Sequence, residues 1–177
     1  MKKISLLVII LIATITYISC ERDDICPENT PTTPNLIVDV YNSENIENKK
    51  NATNLLIIGV GNDDALGIYT ATSTIVLPLN TNEDTTQYIL HNNYEVNNNG
   101  TPNDPNDDFA EGNPDIITIN YTREDVYVSR ACGYKTIFKN VTFNIEPDSD
   151  NWIQSSQPTN DNQPVENEEE AHFIIFY

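Results

Sequence analysis

Basic side chains are scarce. The chain carries 9 Lys and Arg against 27 Asp and Glu, a formal net charge of −18. Such a surplus keeps a domain soluble and repels polyanions, so a nucleic-acid role is set aside. Histidine is rarer still. His91 and His172 are the only two, and neither lies in a metal-ligand or nucleophile spacing, which leaves little for zinc or triad chemistry to use. Helical periodicity is missing too. Beyond the first twenty residues no stretch shows an apolar i, i+3, i+4, i+7 stripe, which excludes a helix bundle and an α/β layer.

One long apolar run does occur, at the start. Met1-Lys2-Lys3 is a short basic segment, followed by Ile4 to Thr16, an almost unbroken series of Ile, Leu, Val, Ala and Thr. A permanent membrane helix needs about 20 apolar residues, so this length fits a signal peptide rather than a span. The small residue Ser19 then precedes Cys20. Tyr17-Ile18-Ser19-Cys20 resembles the bacterial lipobox, with Tyr where Leu is commonest, and predicts cleavage after residue 19 with a lipid on Cys20. The alternative is an ordinary secreted protein cut near Ser19 with Cys20 as a free thiol.

Removal of residues 1–19 leaves 158 of the 177, enough for one domain with a real core. It also removes Lys2 and Lys3, so the charge becomes −20. With Cys20 assigned to lipid, Cys26 and Cys132 can pair in an oxidising compartment without a leftover thiol; two unpaired buried thiols are the alternative. Residues 20–34 are polar, contain Pro27, Pro31 and Pro34, and read as a lipidated N-terminus and tether.

From residue 35 to 177 the apolar signal has period two or comes in short β-branched runs ended by Asn, Asp, Gly or Pro. Runs at 36–41, 55–60, 68–72, 74–77, 88–90, 116–121, 126–129, 141–145 and 172–177 predict about seven to nine strands. One sheet cannot bury its apolar face alone, so the expectation is an all-β antiparallel sandwich of immunoglobulin-like or related topology. Val141, Phe143 and Ile145 are expected to face inward, with Thr142 and Asn144 facing water. Residues 92–115 and 148–171, dense in Asn, Asp, Gly and Pro, are expected to be long polar loops.

Asp104, Asn106, Asp108 and Asp115 place oxygen ligands at calcium-loop spacing, but Phe109 stands where such a loop needs Gly, so calcium is a weak candidate and no cofactor is expected. Trp152 and nine tyrosines could form a sugar-stacking face; filling strands and sandwich edges is the plainer reading. Asp84-Thr85-Thr86 resembles the O-glycosylation motif of exported Bacteroidota proteins, with Thr85 as acceptor. With 27 acids available, no single carboxylate pair marks a hydrolase.

The segments Cys20 to Cys26, Thr32-Thr33-Pro34-Asn35-Leu36, Leu77-Pro78-Leu79 and Ala131-Cys132-Gly133-Tyr134-Lys135 resemble those of an uncharacterised family of flavobacterial (Bacteroidota) lipoproteins. The resemblance covers essentially the whole mature chain. It implies a single all-β domain, pairing of Cys26 with Cys132, no established activity and, from gene neighbourhood, an outer-membrane barrel protein as partner. Glu21, Asp23 and Asp24 resemble the acidic signal that sends such lipoproteins to the outer face of the outer membrane, interrupted by Arg22; the alternative is that these acids belong to the Cys20-to-Cys26 motif itself, which leaves a periplasmic or a cell-surface face. The resulting expectation is a non-enzymatic, membrane-anchored lipoprotein that binds or supports another envelope component. A surface glycan-binding or adhesin-type module is the alternative.

Overall fold

The computed structural model describes residues 25–62, 64–104 and 106–177. No helix occurs among them, and nine strands form two sheets. The strands are β1 (Leu36–Tyr41), β2 (Ala52–Gly59), β3 (Ala65–Thr72), β4 (Thr74–Leu77), β5 (Thr85–Asn97), β6 (Phe109–Ser129), β7 (Gly133–Ile145), β8 (Ser155–Pro158) and β9 (Phe173–Phe176). One sheet has the order β4-β1-β9-β8 and the other β3-β2-β5-β6-β7. The all-β sandwich with about nine strands is therefore the fold.

The described residues fall into two compact units, one comprising 31–126 and 135–177 and the other 25–30 with 127–134. The larger unit contains the core. Alternation in β1 turns Leu36, Val38 and Val40 inward, and β4 and β9 add Ile75, Leu77, Phe173 and Ile175 on the same side. The five-stranded sheet answers with Leu55, Ile57, Leu90, Ile117, Ile119, Val141 and Phe143. Phe143 and Phe173 meet across the gap between the sheets, ring centroids 5.6 Å apart. Within β7, Val141 and Phe143 are buried, Ile145 is half-buried, and Thr142 and Asn144 are exposed, which is the register the alternation predicts.

β1 and β9 pair in parallel, Val38 beside Phe173 and Tyr41 beside Phe176, whereas β1 with β4, β2 with β3 and β5, β5 with β6, and β8 with β9 are antiparallel. A period-two pattern reports which residues face inward but carries no strand direction, so the parallel pair could not be read from the sequence.

The expected loop at 92–115 is largely strand. β5 continues to Asn97 and β6 starts at Phe109, with Glu95 opposite Glu111 and Asn97 opposite Phe109. These arms have mostly exposed side chains on both faces, so backbone hydrogen bonds hold them without any apolar alternation to betray them. A bulge between Asn92 and Glu95 brings the β5 backbone close to Gly112. A Cβ at Gly112 would lie 2.6 Å from the carbonyl oxygens of Asn92 and Asn93, and its φ is +119°, so only glycine fits. Beyond the end of β5, Asn99 and Gly100 lie at positive φ and turn the chain back. Polar residues 122–125 are likewise exposed on both faces, and the separate runs at 116–121 and 126–129 are one strand. In the expected loop at 148–171, Ser155–Pro158 forms β8, an apolar-free strand held by β9.

Candidate functional site

In the smaller unit Cys26 and Cys132 form a disulfide, Cα atoms 4.9 Å apart and 106 positions apart in sequence. The turn between β6 and β7 positions Cys132, whose N–H donates to Ser129 Oγ at 3.1 Å. Tyr127 and Tyr134 meet edge-to-face at 5.4 Å across the same hairpin end, and both are exposed. The expected pairing is thus present. Residues 1–19, Cys20 and the acids after it lie outside the described residues.

The larger unit has a hollow beside β5, lined in part by Gly59, Asn62, Pro78, Asn80, Thr86 and Tyr88. The hydroxyls of Tyr88, Thr86 and Tyr121 are engaged internally. Tyr88 OH donates to Pro78 O at 2.5 Å, and burial pushes its pKa up to about 12. Tyr121 OH donates to Asn80 O at 2.9 Å, so its oxygen takes the proton of Thr86 Oγ1 at 2.6 Å, while Thr86 Oγ1 accepts Asn80 N–H at 2.9 Å. This closed ring ties Pro78–Asn80 to β5 and β6. Burial raises the pKa of Tyr121 as well, so both phenols stay protonated and act as donors rather than nucleophiles.

Thr85, the proposed glycan acceptor, is the exposed first residue of β5 on the rim of this hollow. Its neighbour Asp84 is fixed by Arg123, Nε to Oδ1 2.7 Å, and Arg123 Nη1 also donates to Thr81 O at 2.6 Å. The threonine side chain faces solvent while the acid before it is held.

The calcium-spaced residues do not converge as a loop. Asp104 and Asn106 share an exposed turn, Asn106 Nδ2 donating to Asp104 Oδ1 at 2.7 Å, and this lowers the Asp104 pKa. Asp108 is exposed just before β6. Asp115 is fully buried in β6, where its two oxygens accept the backbone N–H groups of Trp152 at 3.2 Å and Ile153 at 2.8 Å. Burial raises its pKa, and the two N–H donors oppose that rise. The four residues are therefore divided between a turn and a strand, because Phe109 to Asp115 pairs with β5 instead of wrapping an ion. Among the described residues no group of three or more His, Cys, Asp and Glu is placed to hold a metal.

Trp152 is a core residue. It is buried, its Nε1–H donates to Leu90 O at 2.9 Å, and its ring meets Tyr177 edge-on at 5.1 Å. A buried ring offers no face to a sugar, so the packing reading of Trp152 holds.

His172 is also structural, at the entry to β9. Its Nδ1 accepts Ile37 N–H at 2.9 Å, which requires a bare lone pair there and places the proton on Nε2, facing Asn167 O at 3.0 Å. Burial lowers its pKa from 6.5. His91 is buried on β5, edge-to-face with Tyr94 at 5.4 Å.

These features define a disulfide-bonded all-β sandwich whose buried polar groups fasten loops to strands. Residues 54–177 match a family of unknown function, DUF6452, and the chain belongs to that family. No curated protein and no solved structure matches it.

Proposed function

We propose that this protein is a non-enzymatic lipoprotein of a Bacteroidota outer membrane, held by a lipid on Cys20 and displayed on the cell surface. Its sandwich binds or supports another envelope component, most directly a membrane-embedded barrel protein. The Cys26–Cys132 disulfide carries the reading. Disulfides persist in oxidising compartments, and this one begins six residues after the lipobox cysteine. Internal use of the Tyr88, Tyr121 and Thr86 hydroxyls and of the Asp115 carboxylate agrees with a binding rather than a catalytic role.

Lipid labelling of the unaltered chain and of Cys20→Ala in cells, with protease shaving of intact cells, tests anchor and membrane side together. The expected result is label and shaving sensitivity in the unaltered chain and no label in Cys20→Ala. An unlabelled parent chain would overturn the anchor, and labelled but protected protein would place it on the periplasmic side. In-cell crosslinking followed by pulldown should recover a barrel protein; recovery of the lipoprotein alone would count against the partner.

A further inference from the structure

The open edges of this sandwich are treated unequally. At the β7 edge the chain covers itself: Phe138 N–H donates to Val165 O at 3.1 Å, Val165 N–H to Phe138 O at 2.8 Å, and Val141 N–H to Gln163 O at 3.0 Å. β7 also carries Lys135 and Lys139, and β8, an edge of the other sheet, ends in Pro158. Covering segments, lysine and proline are the usual means of stopping an edge strand from pairing with another chain. Among the described residues no segment covers β3, and the strand carries no lysine or proline. It is the terminal strand of the five-stranded sheet, eight residues of Ala-Leu-Gly-Ile-Tyr-Thr-Ala-Thr. In a chain with 27 acidic and 9 basic residues, no charge occurs from Ala65 through Asn82. On its outer face Leu66 is 44% and Ile68 64% exposed.

We propose that β3 is an interaction edge whose occupant is β3 of a second copy, paired antiparallel about a two-fold axis at Ile68. Residues opposite each other in an antiparallel pair point to the same face. With the axis at Ile68, that residue faces its own copy, Leu66 faces Thr70, and Ala65 faces Ala71. The exposed apolar side chains of both copies then meet on the same outer face. Charge placement favours this occupant. Asp64 comes opposite Thr72, so the acid that borders β3 does not meet its copy. The strand brings no charge of its own, and repulsion between the acidic bodies is screened beyond about 8 Å at physiological salt. A two-fold pairing is also self-limiting at this edge, because it consumes the β3 edges of both copies at once and leaves only the four-residue edge β4, too short to offer a comparable template.

Ile68→Cys in the full chain tests the pairing. Directly opposed Cβ atoms lie about 4.5–5.5 Å apart, close enough for a disulfide after small adjustment. On a non-reducing gel Ile68→Cys should run mainly as a covalent dimer, with Cys26–Cys132 retained by peptide mapping, while Thr142→Cys on exposed β7 stays monomeric. Mixing Leu66→Cys with Thr70→Cys should give the mixed dimer. Ile68→Lys should abolish chemical crosslinking of the dimer and melt, independently of concentration, at the midpoint the parent shows when diluted to monomer. A monomeric Ile68→Cys with a parental melting midpoint would overturn the proposal. So would an adduct of Ile68→Cys to a different protein, or equal dimer yield from Thr142→Cys. Should Ile68→Cys fail to fold, the Leu66→Cys and Thr70→Cys mixture decides, and absence of the mixed dimer overturns it.

Discussion

Protonation of His172 would set its Nδ1–H against the Ile37 N–H that the ring now accepts. The folded pKa is lowered below the ordinary 6.5, mainly by burial, so the unfolded chain binds more protons than the folded one in that window. The His172 contribution is therefore fully present above pH 6.5 and is lost as the pH falls through the folded value. Melting between pH 7.5 and 5 should show a midpoint that falls with acidity, and His172→Gln should flatten that dependence. An identical slope in the variant would mean that other groups carry it. The role was only half legible in the sequence. His172 heads the apolar run 172–177, which puts it at the start of a strand, but its partner Ile37 lies 135 positions away and no local spacing encodes that. Asp115 was harder to read, since an acid at calcium-loop spacing and an acid capping two backbone N–H groups look alike until the facing segment is known.

At the scale of the element, β7 offers the sharpest test of register. Phe143 fills the space between the sheets against Phe173, and its neighbour Thr142 points outward. Phe143→Ala should cost about 3–5 kcal/mol by the usual measure of a buried aromatic truncation. Thr142→Asp should change stability by no more than about 0.5 kcal/mol, the ordinary range of surface changes. Chemical denaturation of the two variants beside the parent checks both, and the reverse order would mean a register shifted by one. β1, β4 and the inner half of β7 were legible because one face is buried and the other wet. The outer arms of β5 and β6, and all of β8, were not: their side chains are mostly exposed, so main-chain pairing alone defines them and leaves no apolar rhythm.

For the whole molecule, the disulfide is the chief covalent constraint. Its two cysteines are 106 positions apart, and the chain-entropy account assigns a loop of that length roughly 4–5 kcal/mol of stabilisation. Cys132→Ser, or reduction of the parent, should lower the thermal midpoint markedly, and reduction should have no further effect on the variant. An unchanged midpoint after complete reduction would show that the unfolded chain loses little freedom to this bond. Here composition was informative, because among three cysteines the expectation of a lipid on Cys20 pointed to Cys26 and Cys132 as the pair that the structure then shows.

The parallel pairing of β1 with β9 also sets an order of events. A chain that emerges N-terminus first presents β1 long before its neighbour β9 exists, and closing that contact spans well over a hundred residues. Contacts so distant in sequence form slowly. The hairpins β2–β3 and β5–β6 and the β1–β4 pair can form early, whereas the other edge of β1 must wait for Phe173–Phe176, which leaves that edge open to mispairing throughout the chain's emergence.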